Sequence, residues 1–523
     1  MEYSDRTLKL NDGIKLKSRL WKPDGTGPWP ALLMRQPYGK QIASTVTYAH
    51  PSWWASNGYL VIVQDVRGQG DSEGEFLGFK QEASDTTQTH AWVRSLPECN
   101  GLLGTYGFSY QGFTQLLGEQ DSPPPECLAP AMTGLHEGIH WSCEGEAFWW
   151  QIGLSWGLQL AAQRLRRSKD WKGWYEVRES LENGKYLRDG PQILKKYDPC
   201  GLASKWLTAS ERLSSKWEVY KPLDSWIKQP MLLIGGWWDP HLRGILDIYQ
   251  KSKEKGGTPH LFIGPASHLQ WWEETNKIQL DFFNRYLKGD NLNKHKSYKN
   301  LWNITSERWE SREEIINQNH FTSWSLTSTG LACASSKDGK LVNFSEGKGH
   351  VNIVHDPWRP VPSIGGHLSD SPGKALRTEL DQRGDVATFT SDQFEVDNLI
   401  EGTPVLSVRA SSDTEGFDLF IALSIIYLNH SEVNQLSTGV TRVRGKSCKI
   451  IQERVIKLQP FFALFPKGSK LRISISGSSW PAIAINPGRT DKPCAAPGPY
   501  SLITTISLDL INSNLRISPL IQR

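Results

Sequence analysis

The sequence has few of the features that mark secreted or metal-binding chains. Its 523 residues include only seven cysteines, which are scattered and form no C-x-x-C pair. An odd, dispersed set of this kind indicates reduced thiols instead of a disulfide framework or a thiolate metal site. The opening residues, MEYSDRTLKLNDG, lack the basic segment and apolar core of a secretory signal. We therefore expect a cytoplasmic protein.

Neither a strong net charge nor a long hydrophobic run is present. The 59 Lys and Arg residues and 55 Asp and Glu residues give a formal net charge of +4. Over this length that balance excludes a general attraction to nucleic acid or to an anionic membrane surface. The longest apolar run, residues 419–428, is about half of the roughly 20 residues that a membrane-spanning helix needs. The chain reads as an ordinary globular protein of several domains.

Two separate stretches, residues 1–125 and 226–318, alternate apolar strands with helical patterns. Ala31–Met34, Tyr59–Val63 and Met231–Ile234 are continuous apolar runs of the kind found in strands buried on both faces. Strands that alternate with helices favour an α/β sheet. We therefore predict one α/β domain whose two parts are separated by an insertion.

The rest of the chain has a different texture. Residues 126–225 carry Trp and Leu at helical intervals, which indicates either a helical subdomain with its own core or a cap over a site. The chain holds 23 Trp against four Met, so aromatic-lined surfaces are expected. Residues 319–523 contain short alternating stretches separated by Gly, Pro, Asn and Ser turns, which is typical of an all-β sandwich or jelly roll.

The sharpest local feature is Gly107-Phe-Ser-Tyr-Gln-Gly112, between an apolar strand and a helix. A sharp turn at this point lifts the Ser109 side chain clear of the sheet, and the first amides of the helix then face any oxyanion beside it. This geometry suits a serine nucleophile. The usual pattern has Gly two residues after the Ser, where this chain has Gln111, so the motif alone also fits an ordinary turn.

A serine nucleophile needs a base and a group that orients the base. In the α/β-hydrolase order both follow the Ser, each after a later strand. Asp239 follows the apolar run that starts at Met231, and His268 follows a further strand that starts at His260. Each also has a structural interpretation, Asp239 as a helix cap and His268 as a surface histidine.

Two further patterns favour structural interpretations. His136 and His140 stand four apart and could chelate a metal, but no HExxH arrangement accompanies them. A basic run is typical of the solvated face of a cap helix; its members are Arg164, Arg166, Arg167 and Lys169.

Segments along nearly the whole chain resemble, in order, the peptidase S15 family of X-Pro dipeptidyl-peptidase-like, CocE/NonD-type serine hydrolases. They are Met34–Lys40, Val63–Phe76, Gly107–Gly112, Gly235–Asp239, Gly264–His268, Phe282–Gly289, Gly402–Pro404, Thr438–Arg442 and Ala484–Pro487. The resemblance implies an α/β-hydrolase fold with an inserted helical cap, followed by a C-terminal all-β jelly-roll domain. The domains would then be residues 1–125 and 226–318 for the hydrolase, 126–225 for the cap and 319–523 for the jelly roll.

The resemblance also implies a role for each site residue. Ser109 would be the acylated nucleophile, His268 the general base, and Asp239 the carboxylate that orients His268. The backbone N–H of Tyr110 and the phenol of Tyr38 would form the oxyanion hole. Neither a metal nor an organic cofactor is expected.

Two positions that follow Asp239 indicate whether the acyl group of the substrate is charged or neutral. Relatives that act on α-amino acid esters carry acids two and three residues after the catalytic Asp, where this chain has His241 and Leu242. We therefore expect a neutral or apolar acyl group. Its binding surface would be the aromatic segment of the cap, which is Phe148, Trp149 and Trp150.

Three functional hypotheses follow. The first is an esterase; the second is an Xaa-Pro dipeptidyl-peptidase or amide hydrolase, in which Glu144 or Glu146 would hold the substrate ammonium. The third is a carbohydrate- or protein-binding protein that uses this scaffold without catalysis. The expected partner is a small ester or short peptide, not nucleic acid or membrane, and homo-oligomer formation stays open.

Overall fold

The structure is a computed structural model that describes residues 3–41, 49–210, 216–289, 298–312, 323–343, 346–492, 494–518 and 520. The α-helices in these ranges are α1 Pro51–Ser56, α2 Glu82–Ser95, α3 Tyr110–Phe113, α4 Trp150–Arg167, α5 Trp171–Glu182, α6 Tyr186–Tyr197, α7 Leu202–Ser210, α8 Asp224–Ile227, α9 Leu242–Glu254 and α10 Thr275–Leu287. The strands are β1 Tyr3–Lys9, β2 Lys15–Trp21, β3 Trp29–Gln36, β4 Leu60–Asp65, β5 Cys99–Phe108, β6 Cys127–Ala131, β7 Cys143–Glu144, β8 Ala147–Phe148, β9 Leu232–Trp238, β10 His260–Ser267, β11 Lys299–Asn303, β12 Arg308–Arg312, β13 Ser323–Thr327, β14 Lys340–Val342, β15 His350–His355, β16 Val386–Ser391, β17 Asn398–Ser412, β18 Gly416–Ile426, β19 Asn434–Arg444, β20 Gln452–Lys457, β21 Phe461–Phe465, β22 Lys470–Ser476 and β23 Thr504–Ser518.

The first half of the chain builds a ten-stranded sheet in the order β1-β2-β4-β3-β5-β6-β9-β10-β11-β12. The strands from β4 to β11 pair in parallel, while β1, β2 and β12 add antiparallel edges. Strands β4 and β9 are buried along their whole length, because helices cover both faces. This is the predicted α/β-hydrolase sheet, and the carboxyl ends of its parallel strands share one edge.

The insertion is mostly helical. Helix α4 is its centre and packs against α5, α6 and α7. One strand of the main sheet, β6, also lies within the residues 126–225 that the sequence assigns to the cap, and it pairs with β5 and β9. It is only five residues long and includes Pro130, so hydrophobic periodicity gives it little signal.

The C-terminal part is all-β, as predicted. Among the described residues, eleven strands form one continuous sheet, antiparallel except where β14 pairs with β16. It docks on the first sheet beyond β11, where Ile304 N–H donates to the Phe462 carbonyl at 2.9 Å. The predicted boundary near residue 318 lies outside the described residues. None of the described helices is long and apolar enough to cross a membrane.

Candidate active site

Ser109 occupies a sharp turn between β5 and α3. Its backbone has φ of 59° and ψ of −127°, a strained conformation for a residue with a side chain. The Ser109 amide donates to the Ala131 carbonyl at 3.0 Å, which fixes the turn against β6. The turn needs Gly107, because a Cβ there would lie 2.4 Å from the Gln111 Cβ. The backbone therefore presents Ser109 at the carboxyl edge of the sheet.

The position that departs from the usual motif has a structural role. Gln111 Oε1 accepts from the Phe108 amide at 3.3 Å, and its Nε2 donates to Gln36 at 3.1 Å. The glycine is needed one residue later, since a Cβ on Gly112 would lie 2.8 Å from the Ala131 carbonyl oxygen. Here α3 therefore meets the sheet most closely at Gly112.

Asp239 and His268 lie at the ends of the neighbouring strands β9 and β10 and contact each other. Asp239 is fully buried, and its Oδ2 lies 2.6 Å from His268 Nδ1. Its other oxygen, Oδ1, accepts from the His241 amide at 2.8 Å. The carboxylate is thus held from two sides, which fixes the His268 ring and leaves Nε2 for another partner.

The His268 ring lies beside the turn that carries Ser109. It packs at 5.2 Å between ring centroids against Phe108, the residue that precedes the serine. Trp271 also packs on Phe108, at 5.7 Å, and its Nε1 donates to the His268 carbonyl at 3.3 Å. The His268 side chain remains 28% exposed, so the ring is both anchored and accessible.

The two predicted oxyanion donors use different groups. Burial raises the pKa of the Tyr38 phenol, although the nearby Trp156 and Ser109 side chains oppose the rise, so that the phenol stays a neutral donor. The Tyr110 side chain points away from the serine, where its hydroxyl donates to buried Glu82 at 2.8 Å. Only the Tyr110 amide faces the turn, at the first position of α3, where helical N–H groups have no partner in the helix.

Two contacts at the site gave no sequence signal. Trp156, on α4, donates from Nε1 to the Tyr38 hydroxyl at 3.1 Å. His241 packs its ring 5.0 Å from that of His268, and its Nδ1 donates to the His140 carbonyl at 2.6 Å. Burial lowers the pKa of His241 to about 4, so its ring is neutral at neutral pH. Packing of the cap creates both contacts, and no local motif encodes them.

The predicted aromatic binding segment lies in the packing between cap and C-terminal domain. Phe148, Trp149 and Trp150 are all at most 2% exposed. Trp149 approaches the site only indirectly, with its ring 5.9 Å from that of His241. Trp150 donates from Nε1 to the Leu187 carbonyl at 2.8 Å, within the cap. Their role in substrate binding stays a prediction.

The two cap carboxylates differ in environment. Glu144 is buried between His367 Nε2 at 2.6 Å and Arg243 Nη2 at 3.3 Å. Burial opposes its ionisation, but His367 and Arg243 outweigh that effect and lower the Glu144 pKa. Glu146 is 69% exposed on the turn between β7 and β8. Glu144 is therefore already neutralised by basic side chains, and Glu146 faces solvent. Neither offers a buried, unpaired carboxylate to a substrate ammonium beside His268.

Within the described residues no three His, Cys, Asp or Glu side chains come close enough to hold a metal ion. The rings of His136 and His140 accept hydrogen bonds from backbone amides. His140 Nδ1 accepts from the amides of Leu135 and His136, each at 3.2 Å, and burial lowers the His140 pKa to about 3.

A buried acid supports the loop behind Tyr38. Asp65 ends β4, and its Oδ2 accepts from the Asp71 amide at 2.9 Å. The Asp71 side chain in turn pairs with Lys40, two residues after Tyr38. Burial raises the pKa of Asp65 to about 6, although backbone donors and the charge of Lys40 oppose the rise. The ionised Asp65 carboxylate therefore lowers the free energy of unfolding at neutral pH.

Replacement of Asp65 by Asn should stabilise the protein above pH 6. A folded-state pKa of about 6 against an ordinary 3.8 means that the folded chain binds the proton more tightly than the unfolded chain. The destabilisation by the carboxylate is thus full above pH 6 and disappears below about pH 4. We expect a gain of up to about 3 kcal/mol in the free energy of unfolding at pH 8.

Urea unfolding at pH 8 and at pH 4.5 measures this gain. Glu73→Gln, at a half-exposed acid of the same loop, should change neither value. Equal stability of wild type and Asp65→Asn at pH 8 would contradict the prediction.

Comparisons with known proteins cover nearly the whole chain. Residues 12–270 match the family model of the X-Pro dipeptidyl-peptidase (S15 family), and residues 290–509 match that of the X-Pro dipeptidyl-peptidase C-terminal non-catalytic domain. Cocaine esterase of Rhodococcus sp. (strain MB1 Bresler) is 23% identical, over 91% of this chain and 91% of the esterase.

Solved structures show the same fold. An aminopeptidase from a marine sediment Thaumarchaeota archaeon aligns with a TM-score of 0.73 at 17% identity, covering 98% of this chain and 96% of that one. A CocE/NonD family hydrolase from Staphylococcus aureus aligns with a TM-score of 0.70 at 17% identity, covering 99% and 93%. The predicted fold, an α/β hydrolase followed by an all-β domain, is therefore confirmed.

Proposed function

Because this chain belongs to the peptidase S15 family of serine hydrolases, we propose that it hydrolyses neutral carboxylic esters through an acyl-enzyme on Ser109. The observation that carries the proposal is the 2.6 Å contact between Asp239 and His268 beside the strained Ser109 turn. A buried carboxylate that fixes an accessible imidazole next to a serine is the arrangement that activates a hydroxyl nucleophile.

In the acylation step the Ser109 Oγ attacks the ester carbonyl carbon while His268 Nε2 takes the hydroxyl proton. Asp239 holds Nδ1–H, so the neutral ring has its lone pair on Nε2, where a base must have it. The resulting imidazolium is stabilised by the Asp239 charge. It then returns the proton to the leaving alkoxide as the C–O bond breaks.

Negative charge develops on the carbonyl oxygen in this step. The Tyr38 phenol, which lies near Ser109, donates a hydrogen bond to that oxygen, and the Tyr110 amide supplies the second. Water then attacks the acyl-enzyme with His268 as base, and the same two donors stabilise the second tetrahedral intermediate. No cofactor takes part in this scheme.

The charges around His268 favour a neutral acyl group. The Asp239 carboxylate is already engaged by His268, the neighbouring His241 ring is neutral, and Glu144 is paired with two basic side chains. A substrate ammonium would therefore lose its hydration without gaining a counter-charge beside His268. Aromatic and aliphatic acyl groups suffer no such cost among the rings of Trp141, Trp149 and His241.

We expect neutral acyl esters to exceed α-amino esters and H-Xaa-Pro anilides in kcat/KM, by at least about tenfold. A panel of a short-chain nitrophenyl ester, an aryl benzoate and an H-Xaa-Pro anilide measures this. The α-amino ester and its N-acetylated form make the closest pair, since they differ only in charge at the same position. A preference for the free amine would contradict the proposal.

The runner-up is an Xaa-Pro dipeptidyl-peptidase, in keeping with the description of the family model. One buried carboxylate gives it a specific basis. Glu137 forms no ion pair in the described part of the chain, and it accepts from Trp206 Nε1 at 2.8 Å and from the Tyr220 hydroxyl at 2.7 Å. If the anilide is preferred, Glu137→Gln is the first variant to test.

For partners and location the proposal keeps the expectations from the sequence. The partner is a small ester or short peptide, without nucleic acid or membrane, and the location is cytoplasmic. The binding-protein alternative has no support from the family, whose relatives are named as hydrolases.

A further inference from the structure

One face of cap helix α4 holds the segment that carries Tyr38. Trp156 Nε1 donates to the Tyr38 hydroxyl at 3.1 Å, and Gln163 Nε2 donates to the Tyr38 carbonyl at 3.4 Å. Arg167, one turn further, donates to the Gly68 carbonyl and to the Ser72 carbonyl, the latter at 2.7 Å. Arg167 therefore lies against the neighbouring loop and not on the solvated face that the basic run predicts.

We propose that Trp156 is a positioning residue for the oxyanion hole, because its indole N–H directs the single proton of the Tyr38 hydroxyl toward Ser109. The inference rests on the proposed function, in which Tyr38 stabilises the tetrahedral intermediate. It adds a residue from the inserted cap to the machinery of the α/β sheet. Trp156 acts through Tyr38 and needs no contact with the substrate.

The direction of the hydrogen bonds follows from the chemistry of the two ends. An indole N–H can only donate, so the Tyr38 oxygen must accept from Trp156, and its own proton is free for an acceptor beside it, for which Ser109 is the neighbour. At the other end an ionised Asp239 can only accept, so His268 donates to it from Nδ1. In the proposed mechanism every donor between these ends points the same way, from Trp156 toward Asp239.

The packing around Trp156 keeps its N–H in place. Its ring stacks on that of Trp206, with centroids 5.4 Å apart and an interplanar angle of 16°. The ring of Trp141 also packs against Trp156, with centroids 6.2 Å apart. Trp206 is itself fixed by donation to Glu137, so the indole of Trp156 has little freedom to turn away from Tyr38. A donor hydrogen bond also polarises the phenol and strengthens the bond that the phenol donates.

The test is a double-mutant cycle on the acylation rate, measured from the nitrophenolate burst in single-turnover mode. Trp156→Phe keeps an aromatic ring against Trp206 but removes the N–H, and should slow acylation about tenfold with KM changed less than about twofold. Tyr38→Phe should slow acylation about 10²–10³-fold. The double variant should be no slower than Tyr38→Phe, because Trp156 affects acylation only through the Tyr38 hydroxyl.

Trp226→Phe is the control, since it removes the N–H of a buried indole that donates to the Ser122 carbonyl at 3.3 Å and not to Tyr38. It should acylate within about twofold of wild type. The melting curve shows whether Trp156→Phe folds. If it does not, benzothienylalanine is incorporated at position 156, where it removes only the N–H, and this variant takes the place of Trp156→Phe in the cycle.

The outcomes separate the inference from the function beneath it. Wild-type acylation in the Trp156 variant, or losses that multiply in the double variant, would overturn the positioning role while leaving a slow Tyr38→Phe enzyme explained. Wild-type acylation in Tyr38→Phe would instead remove Tyr38 from the oxyanion hole of the proposed function.

Discussion

Replacement of Ser109 by Ala should abolish turnover, with kcat falling by about 10⁵–10⁶. The variant should fold normally, because Ala has the same Cβ as Ser and meets the strained backbone at φ of 59° no worse than the serine does. What it loses is the Oγ that forms the acyl bond, and His268 cannot replace that oxygen. Fluorophosphonate labelling should vanish together with turnover, while the melting temperature stays within a few degrees.

Ser252→Ala provides the control for this change. It removes a hydroxyl that is also buried, on α9, where it donates to the Ile227 carbonyl at 2.7 Å. Ser252 lies ten residues along α9 from Leu242, the first residue of the helix and the end nearest Asp239. At the rise of an α-helix this is a distance of about 15 Å. Full labelling and turnover are expected. If Ser109→Ala kept substantial esterase activity, another nucleophile would carry the reaction and the proposed function would fail.

The parts of the fold and site that are written locally in the sequence could be predicted. Ser109, Asp239 and His268 each follow an apolar run, and in a parallel sheet the ends of such runs meet at one edge. The structure places them there, at the ends of β5, β9 and β10. The strand–turn pattern thus located candidate residues without knowledge of the neighbouring strands.

Contacts between distant segments could not be predicted. Trp156 and Tyr38 are 118 residues apart, and Glu144 and His367 are 223 apart. Trp and Glu in the cap looked the same in sequence whether they packed inward, paired with a cation or faced solvent. The sequence predicts substrate contacts at the aromatic segment that starts at Phe148 and, for a peptide substrate, at Glu144, but docking of the C-terminal domain decides the surroundings of both.

The Asp239→Asn variant should be severely impaired, though less than Ser109→Ala, for a reason specific to this site. The two carboxylate oxygens have separate tasks: Oδ1 accepts from the His241 amide and Oδ2 accepts from His268 Nδ1. An amide has one oxygen and one NH₂. If the oxygen stays with the His241 amide, which the backbone fixes, the NH₂ group faces His268.

An NH₂ group opposite Nδ1 selects the wrong tautomer. Nδ1 must then accept, the ring proton moves to Nε2, and Nε2 has no lone pair with which to take the Ser109 proton. The expected loss is about 10³–10⁴ in kcat, with KM little changed and a normal melting curve. Fluorophosphonate labelling should be slowed in parallel, because it also needs the activated serine.

The control is Asp247→Asn on α9, the helix that follows Asp239, where the carboxylate pairs with Lys251 on the protein surface and faces no catalytic group. It should retain wild-type rates. Near-normal activity of Asp239→Asn would show that a different carboxylate orients His268, and the 2.6 Å contact would then have only a structural role. A loss confined to KM would be equally incompatible, since the tautomer of His268 affects the chemical step and not the binding of a neutral ester.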